Sequence, residues 1–332
     1  MDLMEMIFEK AKANPQRVAF PEATEEKMLQ AAYESVSQGF CKATLVGDPA
    51  EIKAAADQFG VDISGMEIFD NNDEEKKTAA FEKYVAEYSD MLSIKSLTRK
   101  SKDPMYTAMV LQCNGEFDVT FAGLTHTTGE VILGASTIIG LKDGIDTASS
   151  TGLFVIPGFE GSEGQYLLFG DSAVCTKPTP AERASIAISA CETVKGLLGW
   201  EPRCAMLSFS TDGSMEHEMV DDVRESVKIA NERRPDLKID GEFQLDAAID
   251  PKVAAKKVKR ESEVAGKANI IIWPDINVGN IGVKLVQQFA KADAPGPFLQ
   301  GFKKIASDCS RSAPVSELVG NIAMCVVRAA NE

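Results

Sequence analysis

Histidine is nearly absent from this chain. There are two in 332 residues, His126 and His217. Neither lies in an HExxH spacing, which excludes the common helical zinc-hydrolase site, and MEHEM around His217 is only a superficial likeness to a ligand set. The seven cysteines are scattered without a CxxC pair, which argues against a disulfide framework or a zinc site and fits reduced thiols in a cytoplasmic protein. No run approaches the ~20 apolar residues of a membrane-spanning helix. The opening MDLMEMIFEKAKANPQR lacks the basic leader, apolar core and small-residue cleavage site of a signal peptide. Positive charge is scarce as well. Lys and Arg total 35 against 50 Asp and Glu, a net charge of −15, which disfavours a nucleic-acid surface or an anionic membrane. Any phosphate site must therefore be locally positive against a negative global field. No GxGxxG follows a strand, which disfavours a dinucleotide-dependent dehydrogenase. Repeats, low-complexity tracts and long linkers are also missing.

What is present reads as two α/β domains, since the length exceeds what one core serves efficiently. Arg17–Phe20, Ala43–Val46 and Met66–Phe69 read as strands alternating with helices, the pattern of a parallel sheet. Thr24 is the expected cap of the first of these helices, Asp48-Pro49 opens another, and 73–87 is a solvated, charged helix. Residues 152–157 and 165–169 form a hairpin around a glycine-rich loop, followed by a helix over 181–196. Cys204–Phe209 is a strand ending in the polar loop Ser210-Thr211-Asp212-Gly213-Ser214, where open α/β sheets place ligands. Asp240, Glu242 and Asp246, after a short strand, invite a metal or acid–base reading, but a wall-forming role is preferred.

The chain is organised around two stretches. In VAGKANIIIWPDINVGNIGVKLVQQ, a buried strand (Ile270–Trp273) leads through a turn to Gly279-Asn280, read as opening a helix whose N–H groups face an anion. In DCSRSAPVSE, Ser310-Arg311 precede Pro314, read as the first residue of a second helix. Two such helix ends point to a phosphorylated substrate. A third cradle is suggested by Phe117–Ala122 running into Gly123-Leu124-Thr125-His126-Thr127-Thr128-Gly129, a strand followed by small hydroxyl and glycine residues. His126, without an evident partner, is assigned a structural role. The basic run Arg99-Lys100-Ser101-Lys102 reads on its own as an exposed linker.

Several long blocks in order, RVAFPEATEEKMLQAA, EPRCAMLSFSTDGS, DGEFQLDAAI, VAGKANIIIWPDINVGNIGVKLVQ and SDCSRS, resemble the phosphate acyltransferase (phosphotransacetylase) family over nearly the whole chain. The resemblance implies two α/β/α lobes with a cleft between them, an architecture shared with the isocitrate and isopropylmalate dehydrogenases. The first lobe is expected at 1–147 plus 298–332 and the second at 148–297. It implies transfer of an acyl group, acetyl by default, between acyl phosphate and coenzyme A, with coenzyme A as a substrate, no permanently bound cofactor, no metal, and a homodimer. By resemblance Arg311 binds phosphate, Ser310 hydrogen-bonds the reacting groups, and Glu317 stands where the family has an aspartate base. Thr127 and Thr128 face the acyl phosphate, Arg99 contributes to phosphate binding, and Asn280 and Lys284 are counted among the substrate contacts.

The chain also departs from the family. Leu133-Gly134 stand for arginine-proline, Gln288 for arginine, Val283 for tyrosine, and Ser312-Ala313 for glycine-cysteine. Each lost charged hydrogen bond at a phosphate is worth ~1.5–3 kcal/mol. These departures leave two alternatives, a butyryl-type enzyme for longer acyl groups and a catalytically impaired homologue that binds acyl-CoA or a nucleotide.

Overall fold

Strand and helix do alternate, and the alternation resolves into two separate sheets. The structure, a computed structural model, describes residues 3–88 and 92–332. The chain divides into two compact units, Met1–Gly140 with Phe302–Glu332, and Leu141–Gly301.

The first unit begins with α1 (Leu3–Ala13), β1 (Gln16–Phe20), α2 (Glu26–Ser37), β2 (Cys41–Gly47), α3 (Pro49–Phe59), β3 (Glu67–Asp70) and α4 (Glu74–Tyr88). It continues with α5 (Ile94–Lys100), α6 (Pro104–Cys113), β4 (Val119–Phe121) and α7 (Thr128–Ile138). The second unit holds β5 (Ser149–Val155), β6 (Tyr166–Gly170), α8 (Pro180–Leu198), β7 (Arg203–Leu207), α9 (Glu218–Arg233) and β8 (Lys238–Phe243). Helices α10 (Leu245–Ile249) and α11 (Pro251–Lys257), then β9 (Ile270–Ile272), α12 (Ile276–Ala290) and β10 (Phe298–Gln300), complete it. The chain returns to the first unit with β11 (Ile305–Ser307) and α13 (Val315–Asn331).

The first sheet has the order β11-β4-β1-β2-β3 and every pairing in it is parallel. The central strand β4 and the ends of β1 and β2 are buried, as suits strands covered on both faces, while the edge strand β3 (EIFD) is half-buried. Ala19 and Val46 pack with Ala80, Ala108 and Leu111 of α4 and α6. Helix α13 packs on β1, β4 and β11 and on α1 and α2, and its Leu318–Arg328 stretch is wholly buried. Caps fix the helix starts. Asp48 accepts from the Ala50 and Glu51 N–H groups at 2.7 and 3.2 Å, with Pro49 in the first turn, and Thr127 with Glu130 makes a capping box on α7.

The second sheet has the order β10-β5-β6-β9-β7-β8. Its β10-β5 and β5-β6 pairs are antiparallel and the rest parallel. An aromatic stack of Phe154, Phe169 and Trp273, with centroids 4.6 and 5.2 Å apart, anchors its core. Helix α12 lies close on Trp273 because Gly279 and Gly282 face the ring; a Cβ on either would come within 2.9 Å of it.

Four sequence expectations are corrected. Thr24 does not cap α2; a turn closed by Glu25 N–H to Glu22 O at 3.1 Å comes first, and the cap position falls on Glu25, with no side-chain bond. Gly279 lies inside the first turn of α12, which Asp275 caps. Pro314 is the cap position of α13, and Val315 its first residue. Asp240 and Glu242 lie within β8, not after it. The unit boundaries also differ from the expected ones: β10, placed with the first lobe by sequence, pairs with Ser149–Thr151 in the second sheet.

Arg183 is the buried cation of the second unit, 5% exposed. It donates to the carbonyls of Pro274 (3.0 Å), Asp222 (3.2 Å) and Pro178 (3.2 Å) and to Ser226 Oγ (2.8 Å). Arg183→Met leaves these buried acceptors without a donor and should cost about 3 kcal/mol. Both tryptophans, Trp200 and Trp273, belong to this unit, so urea unfolding followed by tryptophan fluorescence measures the loss directly.

Candidate active site

Three neighbouring parallel strands, β11, β4 and β1, end side by side, and their carboxyl ends carry the polar residues of the first unit. Strand order reverses between β1 and β4, with β2 and β3 on one side and β4 and β11 on the other, and such a switch point is where open α/β sheets bind ligands. Here the crevice is filled from within. Glu22, just beyond β1 and 4% exposed, accepts from the N–H groups of Gly123, Leu124, Thr125 and His126 at 2.7–3.1 Å, and from Thr125 Oγ1 at 2.9 Å. The loop after β4 is an anion cradle, as the sequence suggested, but the anion it holds is the protein's own carboxylate. Burial opposes the charge, yet the bonds from His126 and from the His126, Leu124 and Gly123 N–H groups prevail and hold Glu22 at about 2.

His126 is not a lone histidine. Its Nε2 lies 2.9 Å from Asp103 Oδ2 and its Nδ1 2.7 Å from Glu22 Oε1. The hydrogen bond to Asp103, then that to Glu22, raise its pKa to about 10. It is a structural imidazolium clamped between two carboxylates, and Asp103 also caps α6. The structural role stands, with partners that are 23 and 104 residues away in sequence.

The expected site residues of this unit divide. Thr127 is consumed by the cap, its hydroxyl and N–H both engaged by Glu130 at 2.7–2.9 Å. Exposed Thr128, one residue on, donates instead to Asp308 Oδ2 at 2.5 Å. Asp308 follows β11. Its Oδ1 is buried without a hydrogen-bond partner; the Cys309 N–H lies close enough to favour its charge but not in bonding geometry. Burial above all, together with the charge of Glu22, pushes Asp308 up to about 6 against the opposing effects of Thr128, Cys309 and Arg311. Gly123 has φ +121°, and a Cβ there would meet Cys309 N at 2.4 Å and Asp308 Oδ1 at 2.5 Å, so only glycine lets the two loops approach.

Beyond Asp308, Ser310 and Arg311 are exposed in the turn before α13, with Ser310 Oγ 2.9 Å from Ser312 Oγ. Lys27 of α2 steadies that turn through the carbonyls of Arg311 (3.3 Å) and Ala313 (2.9 Å). The Arg311 guanidinium makes no ion pair among the described residues. Glu317 is exposed in the first turn of α13, which no side chain caps. Thr128, Ser310, Arg311 and Glu317 thus converge on one end of one sheet.

Other candidates are not brought there by any bond. Arg99 is exposed at the end of α5, and nothing joins it to Thr128 or Arg311 among the described residues. Asn280 and Lys284 belong to the second unit, where they make only long bonds, to Ser172 O and Gln287 Oε1, both at 3.4 Å. The N-terminus of α12 is closed to an anion. Its N–H groups are taken by Thr176 O, by Asp275 Oδ1 twice, and by Asp275 O. Leu133 is an exposed apolar residue and Gly134 packs against Met105 and Met109. Glu242 is held by Arg224, Ser210 and the Gly213 N–H, and Asp240 by Arg260; both are spent on structure. His217 caps α9. Among the described residues no group of three or more His, Cys, Asp or Glu could hold a metal ion.

Sequence reasoning missed Glu22, Asp308 and Lys27. Glu22 and Asp308 lie just beyond strand ends, and Asp308 is the one carboxylate between Phe298 and Glu317. The rule that ligands gather at carboxyl ends of parallel strands would have flagged both.

A hydroxyl, a guanidinium with no ion pair among the described residues and a helix end without a side-chain cap lie at the carboxyl ends of a parallel sheet, an arrangement suited to an anionic ligand. The profile of the phosphate acetyl/butaryl transferase family matches residues 2–326, and the chain belongs to that family. It is 42% identical over 330 residues to a phosphate acetyltransferase of Clostridium acetobutylicum, covering 99% of both chains. A solved phosphotransacetylase from Streptococcus pyogenes superposes with a TM-score of 0.89 at 31% identity, over 99% of this chain and 98% of the other. A putative 4-hydroxythreonine-4-phosphate dehydrogenase from Salmonella typhimurium shares the fold alone, with a TM-score of 0.54 at 11% identity over 94% of this chain and 99% of the other.

The Glu22–His126 clamp sets a pH window. His126, raised from 6.5 to about 10, contributes stability that is complete below pH 6.5 and is lost as pH rises towards 10. Glu22, lowered from 4.5 to about 2, contributes above pH 4.5 and is lost as pH falls towards 2. Both shifts describe one interaction, so they are not summed. The stability gap between wild type and His126→Gln, read by urea unfolding with circular dichroism, should be widest near pH 6 and narrower by on the order of 2 kcal/mol at pH 9.

Proposed function

We propose that this protein moves an acetyl group between acetyl phosphate and coenzyme A by direct attack of the thiol. The observation that carries the reading is the Arg311 guanidinium, exposed and unpaired beside Ser310 at the end of β11. In a chain of net charge −15, an arginine left without a carboxylate is a position kept for an external anion. Its planar fork matches phosphate oxygens. Ser310 supplies a hydroxyl to the reacting oxygens, and the uncapped start of α13 adds the positive end of a helix dipole. Thiolate attack on the carbonyl carbon forms the C–S bond, and the bond from that carbon to the bridging phosphate oxygen breaks, its electron pair leaving with phosphate. Phosphate is a good enough leaving group that neither a metal nor an acyl-enzyme is required. Coenzyme A is then a substrate, with nothing permanently bound.

The similar proteins named as acetyltransferases favour acetyl over the butyryl-type and binding-only alternatives. The reading does not rest on Arg99, Asn280 or Lys284. Seven free cysteines suit a reducing compartment, which supports a cytoplasmic location. A homodimer is proposed as well. Val278, Ile281, Leu285 and Phe289 line one face of α12, 43–82% exposed, an apolar stripe of the kind that marks a protein contact.

Arg311→Ala should abolish acetyl-phosphate-dependent consumption of the coenzyme A thiol, with a loss of about 100-fold or more in kcat/KM. A wild type that binds coenzyme A yet turns over no acyl phosphate would sink the enzyme reading. Leu285→Asp with Phe289→Asp should convert the dimer to monomer in sedimentation, while circular dichroism remains that of the folded chain, because neither side chain is buried.

A further inference from the structure

We propose that Thr128, held by Asp308, makes this site choose hydrogen phosphate over sulfate. The threonine presents an acceptor, which only an oxyanion that still carries a hydroxyl can meet. Thr128 is then a specificity residue, and Asp308 a positioning residue that acts through it. The inference rests on the acyl-transfer reading given above and deepens it for inorganic phosphate, the product when acetyl phosphate is consumed. It assigns no proton transfer to either residue.

Thr128 is exposed, while its hydroxyl donates to Asp308 Oδ2 at 2.5 Å. An ionised carboxylate only accepts, so the single hydroxyl hydrogen is committed inward and lone pairs are what remain for a ligand. Asp308 is held there at a cost. Its Oδ1 is buried without a partner. The two loops close around that oxygen because residue 123 is glycine; a Cβ there would meet Oδ1 at 2.5 Å and Cys309 N at 2.4 Å. A buried, half-satisfied carboxylate calls for an explanation, and fixing the direction of a neighbouring hydroxyl supplies one. Arg311 lies near enough to favour the charge of Asp308, so the guanidinium and the threonine hydroxyl both neighbour one carboxylate.

Arg311, Ser310 and the first N–H groups of α13 can all donate to an anion. Donors alone do not distinguish phosphate from sulfate, which above neutral pH share a double negative charge and a tetrahedral shape. The two differ by one hydrogen. Against Thr128 the hydroxyl of hydrogen phosphate completes a chain, from P–OH to Thr128 to Asp308, in which each donor has an acceptor. A sulfate oxygen sets lone pair against lone pair, and a polar group left unpaired in a site is what rejects an analogue. Turning the threonine hydrogen outward moves the fault without removing it, since Asp308 then loses its donor.

The test is isothermal titration calorimetry of the whole protein with inorganic phosphate and with sulfate. Ionic strength is held constant near pH 8, where Asp308, pushed up to about 6, is ionised. Wild type should bind phosphate about tenfold or more tighter than sulfate, and Arg311→Ala should lose both anions. Thr128→Ser keeps the hydroxyl and should keep the preference, whereas Thr128→Val should bring the two affinities within about twofold of each other. Asp308→Asn reverses the polarity. Its amide oxygen belongs beside the Cys309 N–H, which turns the amide NH2 towards Thr128; the threonine then accepts from the amide and donates outward. Sulfate should bind this variant about tenfold more tightly than wild type, a gain that a merely structural defect does not produce. Equal affinities in wild type overturn the proposal. So does a preference unchanged in Thr128→Val and Asp308→Asn, one lost only in Glu317→Gln, or one that persists in Arg311→Ala. Acetyl-phosphate-dependent consumption of the coenzyme A thiol is assayed separately. A wild type without it overturns the acyl-transfer reading; an active wild type with equal affinities overturns the anion preference alone.

Discussion

The first unit depends on one carboxylate. Glu22 gathers the four backbone N–H groups of residues 123–126 and a histidine cation, and so ties the end of β1 to the end of β4. Without it, four buried or half-buried donors at the switch point of the sheet would need water or a ligand. With it, the loop is rigid and α7 starts from a fixed place, with Thr127 capping and Thr128 turned towards Asp308. The position of one hydroxyl is therefore set by a group on another strand, through backbone bonds that no side chain at 123–126 except His126 and Thr125 takes part in.

This arrangement decides where an external anion can bind. The crevice at the switch point is electrostatically closed, because it already holds a buried negative charge. The next place along the sheet, at the end of β11, offers Ser310, Arg311 and the uncapped start of α13. Gly123 links the two places, since its missing side chain lets the loop after β11 reach the loop after β4. A methyl group there would push Asp308 and Cys309 away and separate Thr128 from the carboxylate it serves. The protein uses one anion cradle for its own architecture and leaves the neighbouring cation unpaired.

Much of the fold was legible because it is written in local signals. Asp48-Pro49 marks a helix start by chemistry that needs no tertiary knowledge, and the helix expected over 181–196 forms as Pro180–Leu198. The errors have more than one physical origin. Thr24 and Gly279 are good local signals overridden by competing local ones, the turn closed on Glu22 and the cap of Asp275, whereas the turn before Pro314 is held from a distance by Lys27. Strand β10 was misplaced because its antiparallel partner, β5, lies about 150 residues earlier, and no periodicity records such a pairing. In the site, Ser310 and Arg311 were readable as a pair, whereas Asp308 was not, since its character comes from burial and from Thr128, 180 residues away.

The two helix ends that drew attention in the sequence show why a motif needs its surroundings. One begins near proline and glycine, the other near serine and proline, and both resemble anion sites on paper. At α12 the donors are exhausted by Asp275 and Thr176, so the helix offers nothing to a phosphate; its remaining resource is the apolar face from Val278 to Phe289. At α13 the cap position falls on proline, which brings no side-chain acceptor, and Arg311 stands in front of it without a partner. A carboxylate such as Asp275 at that cap would have neutralised both the helix end and the arginine. The presence of proline there leaves a positive corner of this sheet edge open, which a strongly acidic protein needs if a phosphorylated substrate is to approach it.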